Sequence, residues 1–135
     1  MPPLASLAKH SDLGLLIVRV GVGAMFMTHG IPKLAKGPEG WERLGHTMRL
    51  LGVDVAPAFW GLAAGLAETL GGLMLVLGLW TRAVCIPLIF TMLMAAWQHL
   101  SKGDGLGKAS HAIEAGFLFI GLMLIGPGRF SIDER

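Results

Sequence analysis

The chain has 135 residues, of which 53% are hydrophobic and only 15% charged, and its formal net charge is +2. A domain of this size has too little interior to bury so much apolar surface in water, so the composition disfavours a soluble protein and favours a membrane protein. The small net charge and the lack of basic runs with interleaved aromatic residues argue against nucleic-acid binding.

The first predicted membrane span covers residues 13–34, about 33 Å of helix at ~1.5 Å per residue, which is enough to cross a bilayer. It carries Arg19 about two turns inside, with His29 and Lys33 near its end. An isolated cation as deep as Arg19 costs about 2.5 to 3.5 kcal/mol in lipid, so we expect Arg19 to face protein. Its side chain could instead extend to the nearer membrane surface, and for Lys33 this second interpretation is preferred.

Residues 37–55 form a polar link in which Trp41, Leu44, Met48 and Leu51 recur at helical spacing. The charged residues of this segment occupy the other side. The pattern predicts a short amphipathic helix at the membrane interface. A lid packed on the mouth of a helix bundle fits the same pattern.

The second predicted span, residues 58–80, contains one charged residue, Glu68. On a helical projection Gly61, Gly65, Glu68 and Gly72 fall on one stripe, so the acid lies on a face that allows another helix to approach closely. Such a stripe also fits a homodimer. We favour packing inside the chain because Glu68 needs a partner, and we predict an ion pair with Arg19, which differs from it in depth by roughly 7 Å.

The third and fourth predicted spans cover residues 83–100 and 110–125. The third contains the single cysteine, Cys85, which excludes a disulfide framework and is expected to be a small buried residue, and it ends at His99. The fourth is predicted to begin with Ser110 as its N-cap, followed by His111 and Glu114 on one side of the helix.

Four apolar spans with short links predict an all-α membrane protein, an antiparallel four-helix bundle that forms a single domain over residues 1–135. Both termini then lie on one side of the membrane, while the orientation stays open. This topology brings most of the titratable side chains to the same end of the bundle, with Glu68 near the middle and Arg19 beyond it. We therefore predict one column of candidate ligand-binding or proton-carrying residues: Arg19, His29, Lys33, Glu68, His99, His111 and Glu114.

Several ligands are compatible with such a column. His111 and Glu114 resemble half of a carboxylate-bridged metal site, but a second helix with an acid and a histidine is missing, so no metal is predicted. A haem needs only two histidines, yet no other haem signal is present. A pocket with apolar walls and a polar rim suits a quinone, with which His and Glu could exchange protons. Each histidine alone could also be a hydrogen-bonded residue at a helix end.

The chain also resembles the DoxX family of small bacterial membrane proteins. The resemblance rests on Arg19 and Gly23 followed by HGIPKL, then LLGVDVAP, LAETLGGLMLVLGLWTR, TMLMAAWQH, and Glu114 leading to GPGRFSID. It implies a multi-pass protein of the bacterial inner (plasma) membrane. Some relatives are small subunits of a thiosulfate:quinone oxidoreductase, and others associate with redox-stress proteins. The resemblance carries over the residues Arg19, Lys33, Glu68, His99 and Glu114, whereas His29 and His111 come from the bundle geometry.

We therefore expect a membrane component of a redox system, linked to quinone and acting with a soluble oxidoreductase partner. Whether this chain performs catalysis itself, as a subunit of a quinone-dependent oxidoreductase, is left open. Two alternatives come from other classes. One is a non-catalytic scaffold or assembly factor for redox-stress proteins, and the other is a small-molecule carrier that works as a homo-oligomer.

Overall fold

The computed structural model describes residues 2–133, and every regular element in that range is helical. Four of the helices are long and apolar enough to cross a membrane. They form an antiparallel bundle, which confirms the predicted fold class. The five α-helices are α1 (Ser11–Ala35), α2 (Gly37–Gly45), α3 (Pro57–Leu77), α4 (Thr81–Ser101) and α5 (Leu106–Ile125), with 3₁₀ turns at Ala5–His10 and His46–Leu51.

Most helix boundaries lie within two residues of the predicted ones, and two differ by more. Helix α3 ends at Leu77 rather than at residue 80, because Gly78 has a φ of 69°. This left-handed conformation stops the helix. Helix α5 begins at Leu106, one turn before Ser110. The prediction of Ser110 as an N-cap is therefore wrong, and its hydroxyl donates back to the Gly107 carbonyl at 2.7 Å.

Helix α1 packs against α3, α3 against α4, and α4 against α5. The glycine stripe predicted on α3 makes the close approaches. A Cβ atom on Gly72 would lie 2.5 Å from the Gly23 carbonyl oxygen of α1, and one on Gly61 would overlap the backbone of Trp41 in α2. The expectation that this stripe is used inside the chain is confirmed.

Helix α2 and the following 3₁₀ turn cover the first half of α3. Gly45 approaches the backbone of Pro57 so closely that a Cβ atom would not fit. Met48 is buried, and the Trp41 indole N–H donates to the Leu34 carbonyl at 3.2 Å. The apolar side of the segment thus packs on the bundle, which agrees with the lid interpretation.

Helices α1 and α5 stand apart. Within residues 2–133, no Cα atom of α1 comes within 8 Å of one in α5. Their side chains still meet, since the rings of Phe26 and Phe119 have centroids 4.9 Å apart. The core lies among α3, α4 and α5, where Leu75, Cys85 and Leu88 are fully buried. The burial predicted for Cys85 is confirmed, and a groove is left between α1 and α5.

Candidate functional site

Glu68 is buried in the bundle and forms an ion pair with Lys33. Its residue exposure is 1%, and its Oε1 lies 2.7 Å from the Lys33 Nζ. The predicted burial of the acid is confirmed, but the predicted partner is wrong. Lys33 turns inward, rather than to the membrane surface, because it lies opposite Glu68 on the packed α1–α3 face. Within the part of the chain that the structure describes, the second carboxylate oxygen of Glu68 is buried without a hydrogen bond.

Arg19 is completely buried and donates to backbone carbonyls instead of a carboxylate. Its Nε donates to Pro127 at 2.9 Å, its Nη1 to Leu75 at 3.0 Å and to Val76 at 3.3 Å, and its Nη2 to Phe130. Leu75 and Val76 belong to the last turn of α3, where carbonyls lack a partner within the helix. Arg19 thus caps α3 and holds the C-terminal segment. Since Leu75 lies about 10 Å along α3 from Glu68, the predicted Arg19–Glu68 pair does not form.

The groove between α1 and α5 has a volume of about 610 Å³ and collects three of the predicted residues, His29, His111 and Glu114. The rings of His29 and His111 have centroids 5.1 Å apart. Phe26 lies beside both, with its ring centroid 6.0 Å from that of His29 and 6.1 Å from that of His111. The remaining walls are apolar and come from both helices: Ile17, Val18, Gly21, Val22, Met25, Ala115 and Leu118.

Glu114 lies in the middle part of α5, a helix long and apolar enough to cross a membrane. It is about 12 Å from the start of α5 and about 17 Å from its end, measured along the helix rise. Among residues 2–133, no side-chain hydrogen bond forms to His29, His111 or Glu114, and their side chains are exposed to the groove. Ionisable groups inside a membrane face protein or a polar cavity, because lipid cannot solvate them. These three side chains therefore make the groove a candidate ligand site.

His99 belongs to neither the groove nor the ion pair. Its Nδ1 lies 2.9 Å from Asp104 Oδ2 in the α4–α5 link, and this hydrogen bond lowers the pKa of Asp104. The single column predicted from the sequence is therefore wrong, and its members occupy four separate places. No three His, Cys, Asp or Glu side chains of residues 2–133 converge in a way that could hold a metal ion.

A second cavity, which the sequence did not predict, lies among α2, α3 and α4. It has a volume of about 260 Å³, and Lys33 is its one charged lining residue. Its α3 wall consists of Trp60, Ala63, Ala64 and Ala67. Small residues on a helix face next to the predicted glycine stripe were the available signal, but alanine spacing does not distinguish a cavity from close packing.

The sequence analysis also missed Asp133. Its two carboxylate oxygens accept the backbone N–H groups of Trp80 at 2.7 Å and Thr81 at 2.8 Å. These N–H groups are free donors at the start of α4. Partial burial acts to raise the pKa of Asp133, but these hydrogen bonds prevail and hold it below its ordinary value. Asp133 is therefore an N-cap supplied from more than fifty residues away.

The DoxX family model matches residues 14–100. The chain is 30% identical over 131 residues to the inner membrane protein YqjF of Escherichia coli, and the alignment covers 93% of this chain and 94% of that protein. It is 28% identical over 125 residues to the putative oxidoreductase CatD of Bacillus subtilis, covering 93% and 88% of the two chains. It is 29% identical over 138 residues to the uncharacterized membrane protein Rv3486 of Mycobacterium tuberculosis, covering 90% and 80%. No solved structure matches the chain.

Proposed function

The chain belongs to the DoxX family of membrane proteins, and from this premise we propose that it is an inner-membrane component of a quinone-linked redox system that acts with a partner oxidoreductase. Two of the relatives are named inner membrane proteins, and one is named a putative oxidoreductase. These names suggest the compartment and the class of reaction. The quinone and the partner are proposed from the site.

The observation that carries the proposal is the α1–α5 groove, which combines apolar walls with one end where His29, His111 and Glu114 make no side-chain hydrogen bond within the described residues. A quinone has a flat ring with two carbonyl oxygens and an apolar tail. The ring fits against Phe26 and the two imidazoles, since aromatic faces favour stacked or edge-on contact. The centroids of these three rings lie between 5.1 Å and 6.1 Å apart. The tail fits along the aliphatic walls toward the N-terminal part of α1.

The residues at the polar end can supply hydrogen-bond donors and protons for quinone reduction. A bound quinone accepts two electrons and two protons, and in this proposal the partner oxidoreductase provides the electrons. His29 and His111 donate hydrogen bonds to the carbonyl oxygens. Glu114, one helical turn from His111, exchanges protons with this pair. The apolar walls exclude bulk water from the ring.

We further propose that both ends of the chain lie on one side of the membrane. Four spans return the chain to the side from which it started. The backbone N–H of Arg129 donates to Asp12 Oδ1 at 3.0 Å, which supports the proximity of the two ends. Protease or cysteine-accessibility mapping at the two termini tests this arrangement.

The test of the quinone site uses the full chain in lipid nanodiscs, with decylubiquinone as the probe. We expect His111→Ala and Glu114→Gln each to weaken binding at least about tenfold, which corresponds to the loss of ~1.4 kcal/mol. The matched controls His10→Ala and Glu39→Gln change exposed residues outside the groove and should leave the affinity unchanged.

A third variant blocks the groove without touching a titratable group. Gly21 lines the groove, and a Cβ atom added to it meets nothing within 4 Å. Gly21→Leu should therefore fold and exclude the quinone. Unchanged affinity in all three groove variants would overturn the proposal. In cells, a scaffold would keep its phenotype in these variants, and a carrier would move solute in proteoliposomes without a partner.

A further inference from the structure

We propose that the cavity among α2, α3 and α4 is a second ligand site, which binds a small lipophilic carboxylic acid at the Lys33–Glu68 pair. The cavity shares no lining residue with the quinone groove. The inference is therefore independent of the proposed function.

The walls of the cavity favour a compact, flat ligand. On α3, Ala63, Ala64 and Ala67 have short side chains that leave the space open. Phe90 and Met94 of α4 and Met48 of the 3₁₀ turn line the other sides. The volume is about 260 Å³. This value is just below the range of about 300–1,000 Å³ for drug-sized ligands. One or two fused rings, or a short alkyl chain, would fill it.

The polar end of the cavity offers donors rather than acceptors. An ammonium group has three N–H donors, and within the described part of the chain only Glu68 Oε1 accepts one from Lys33. The Lys33 side chain is 29% exposed, so the other donors are accessible. Of the other donors in the wall, Trp60 Nε1 donates to Val55 and Thr91 Oγ1 to Pro87, whereas the Thr47 hydroxyl makes no hydrogen bond within the described residues. The ligand therefore needs an acceptor head group at Lys33.

The charge balance indicates an acid that enters in its neutral form. Lys33 and Glu68 already neutralise each other, so an added anion would leave an unpaired negative charge in a membrane interior, which is costly. Glu68 does not line the cavity, but its Oε1 lies 2.7 Å from the Nζ of Lys33, which does. Glu68 can therefore take up a proton by way of Lys33.

The binding step is a proton transfer without any redox change. The O–H bond of the incoming acid breaks and its proton passes to Lys33 Nζ, while Lys33 gives up one N–H proton to Glu68 Oε1, where a new O–H bond forms. The ligand carboxylate then replaces Glu68 as the counter-ion of Lys33. The site carries no net charge before the step, and it carries none after it.

The experiment compares 2-naphthoic acid with 2-naphthalenemethanol, which has the same rings but no acid, by equilibrium dialysis against the full chain in nanodiscs. We expect the acid to bind at least tenfold more tightly than the alcohol. Lys33→Met should remove this preference. The matched control Lys36→Met, at an exposed lysine one turn further along the chain, should keep it.

Lys33→Met leaves Glu68 without its partner, so this variant could fail to fold. A second variant therefore tests the cavity without changing the ion pair. Ala67→Leu fills the cavity while the ion pair stays intact, and it should weaken binding of the acid at least tenfold. Equal affinities for acid and alcohol, or an acid affinity that Ala67→Leu leaves unchanged, would overturn the proposal. His111→Ala should weaken the binding of decylubiquinone and leave the binding of 2-naphthoic acid unchanged. The two proposals can therefore fail independently of each other.

Discussion

Replacement of Arg19 tests how this bundle stabilises a buried cation that has no carboxylate partner. The guanidinium group donates to two carbonyls in the last turn of α3 and to two in the C-terminal segment. Arg19→Met fills a similar volume but donates nothing. Arg19→Lys keeps the charge but replaces the planar fork with a single ammonium group.

The magnitude follows from the carbonyls that lose a donor, and of these the Leu75 carbonyl keeps the backbone N–H of Gly78 at 3.1 Å. A hydrogen bond to a charged group contributes about 1.5–3 kcal/mol, and a buried acceptor left without a partner costs about 1–3 kcal/mol. These contributions are not additive in one network, and Arg19→Met leaves no unpaired charge because the acceptors are neutral carbonyls. We expect a loss of about 2–4 kcal/mol for Arg19→Met. We expect about half of that for Arg19→Lys, because an ammonium group cannot reach both α3 and the C-terminal segment.

The assay uses Cys85, the single cysteine, which is fully buried. In dodecylmaltoside micelles titrated with SDS, labelling of Cys85 by a maleimide reports the unfolded fraction. The matched control Arg43→Met removes an exposed arginine and should change the free energy of unfolding by less than about 0.5 kcal/mol. A loss below about 1 kcal/mol for Arg19→Met would refute the network. Recovery of stability in a double charge swap between Arg19 and Glu68 would also refute it.

Two further predictions concern packing and capping. Gly23→Ala should lower the free energy of unfolding by about 1–3 kcal/mol, because overpacking a close helix contact forces the backbones apart. Its methyl group would lie 2.5 Å from the Gly72 carbonyl oxygen, whereas a methyl group on Gly21 meets nothing. Gly21→Ala should therefore raise the free energy of unfolding by up to about 1 kcal/mol. The same SDS titration measures both, and equal effects would contradict the α1–α3 packing. Asp133→Asn should destabilise α4 by about 0.3–1 kcal/mol at neutral pH, because the negative charge at the start of the helix is lost. The pKa of Asp133 is lowered in the folded protein. Its stabilisation is therefore present above an ordinary pKa of about 3.9 and is lost as the pH falls through the lower folded value. Thermal melts from pH 6 to pH 2.5 should show the wild type converging on Asp133→Asn, and a constant gap between them would count against the cap.

The helices and the packing face were predictable because both depend on local sequence. Long apolar runs cross a membrane whatever surrounds them, since the backbone must satisfy its own hydrogen bonds in lipid. The stripe of Gly61, Gly65, Glu68 and Gly72 also follows from helix periodicity alone. A charged residue between glycines can only face another helix, so the burial of Glu68 was predictable as well.

The partners of the charged residues were not predictable in the same way. Arg19 and Lys33 lie on one face of α1, and periodicity cannot tell which of them meets Glu68. The vertical offset between α1 and α3 decides this, and that offset is set by the contact of Gly23 with Gly72. The acceptors of Arg19 are backbone carbonyls, which every residue possesses, so no pattern of side chains could reveal them.

By itself, the sequence determined how many times this chain crosses the membrane, which face of α3 is packed, and that Glu68 is buried. Only the tertiary structure decided that Glu68 pairs with Lys33, and that His29, His111 and Glu114 share a groove apart from His99. The physical reason is that helix periodicity fixes the direction of a side chain around its own axis. The gap between two helices, such as α1 and α5, depends instead on how all the helices pack together.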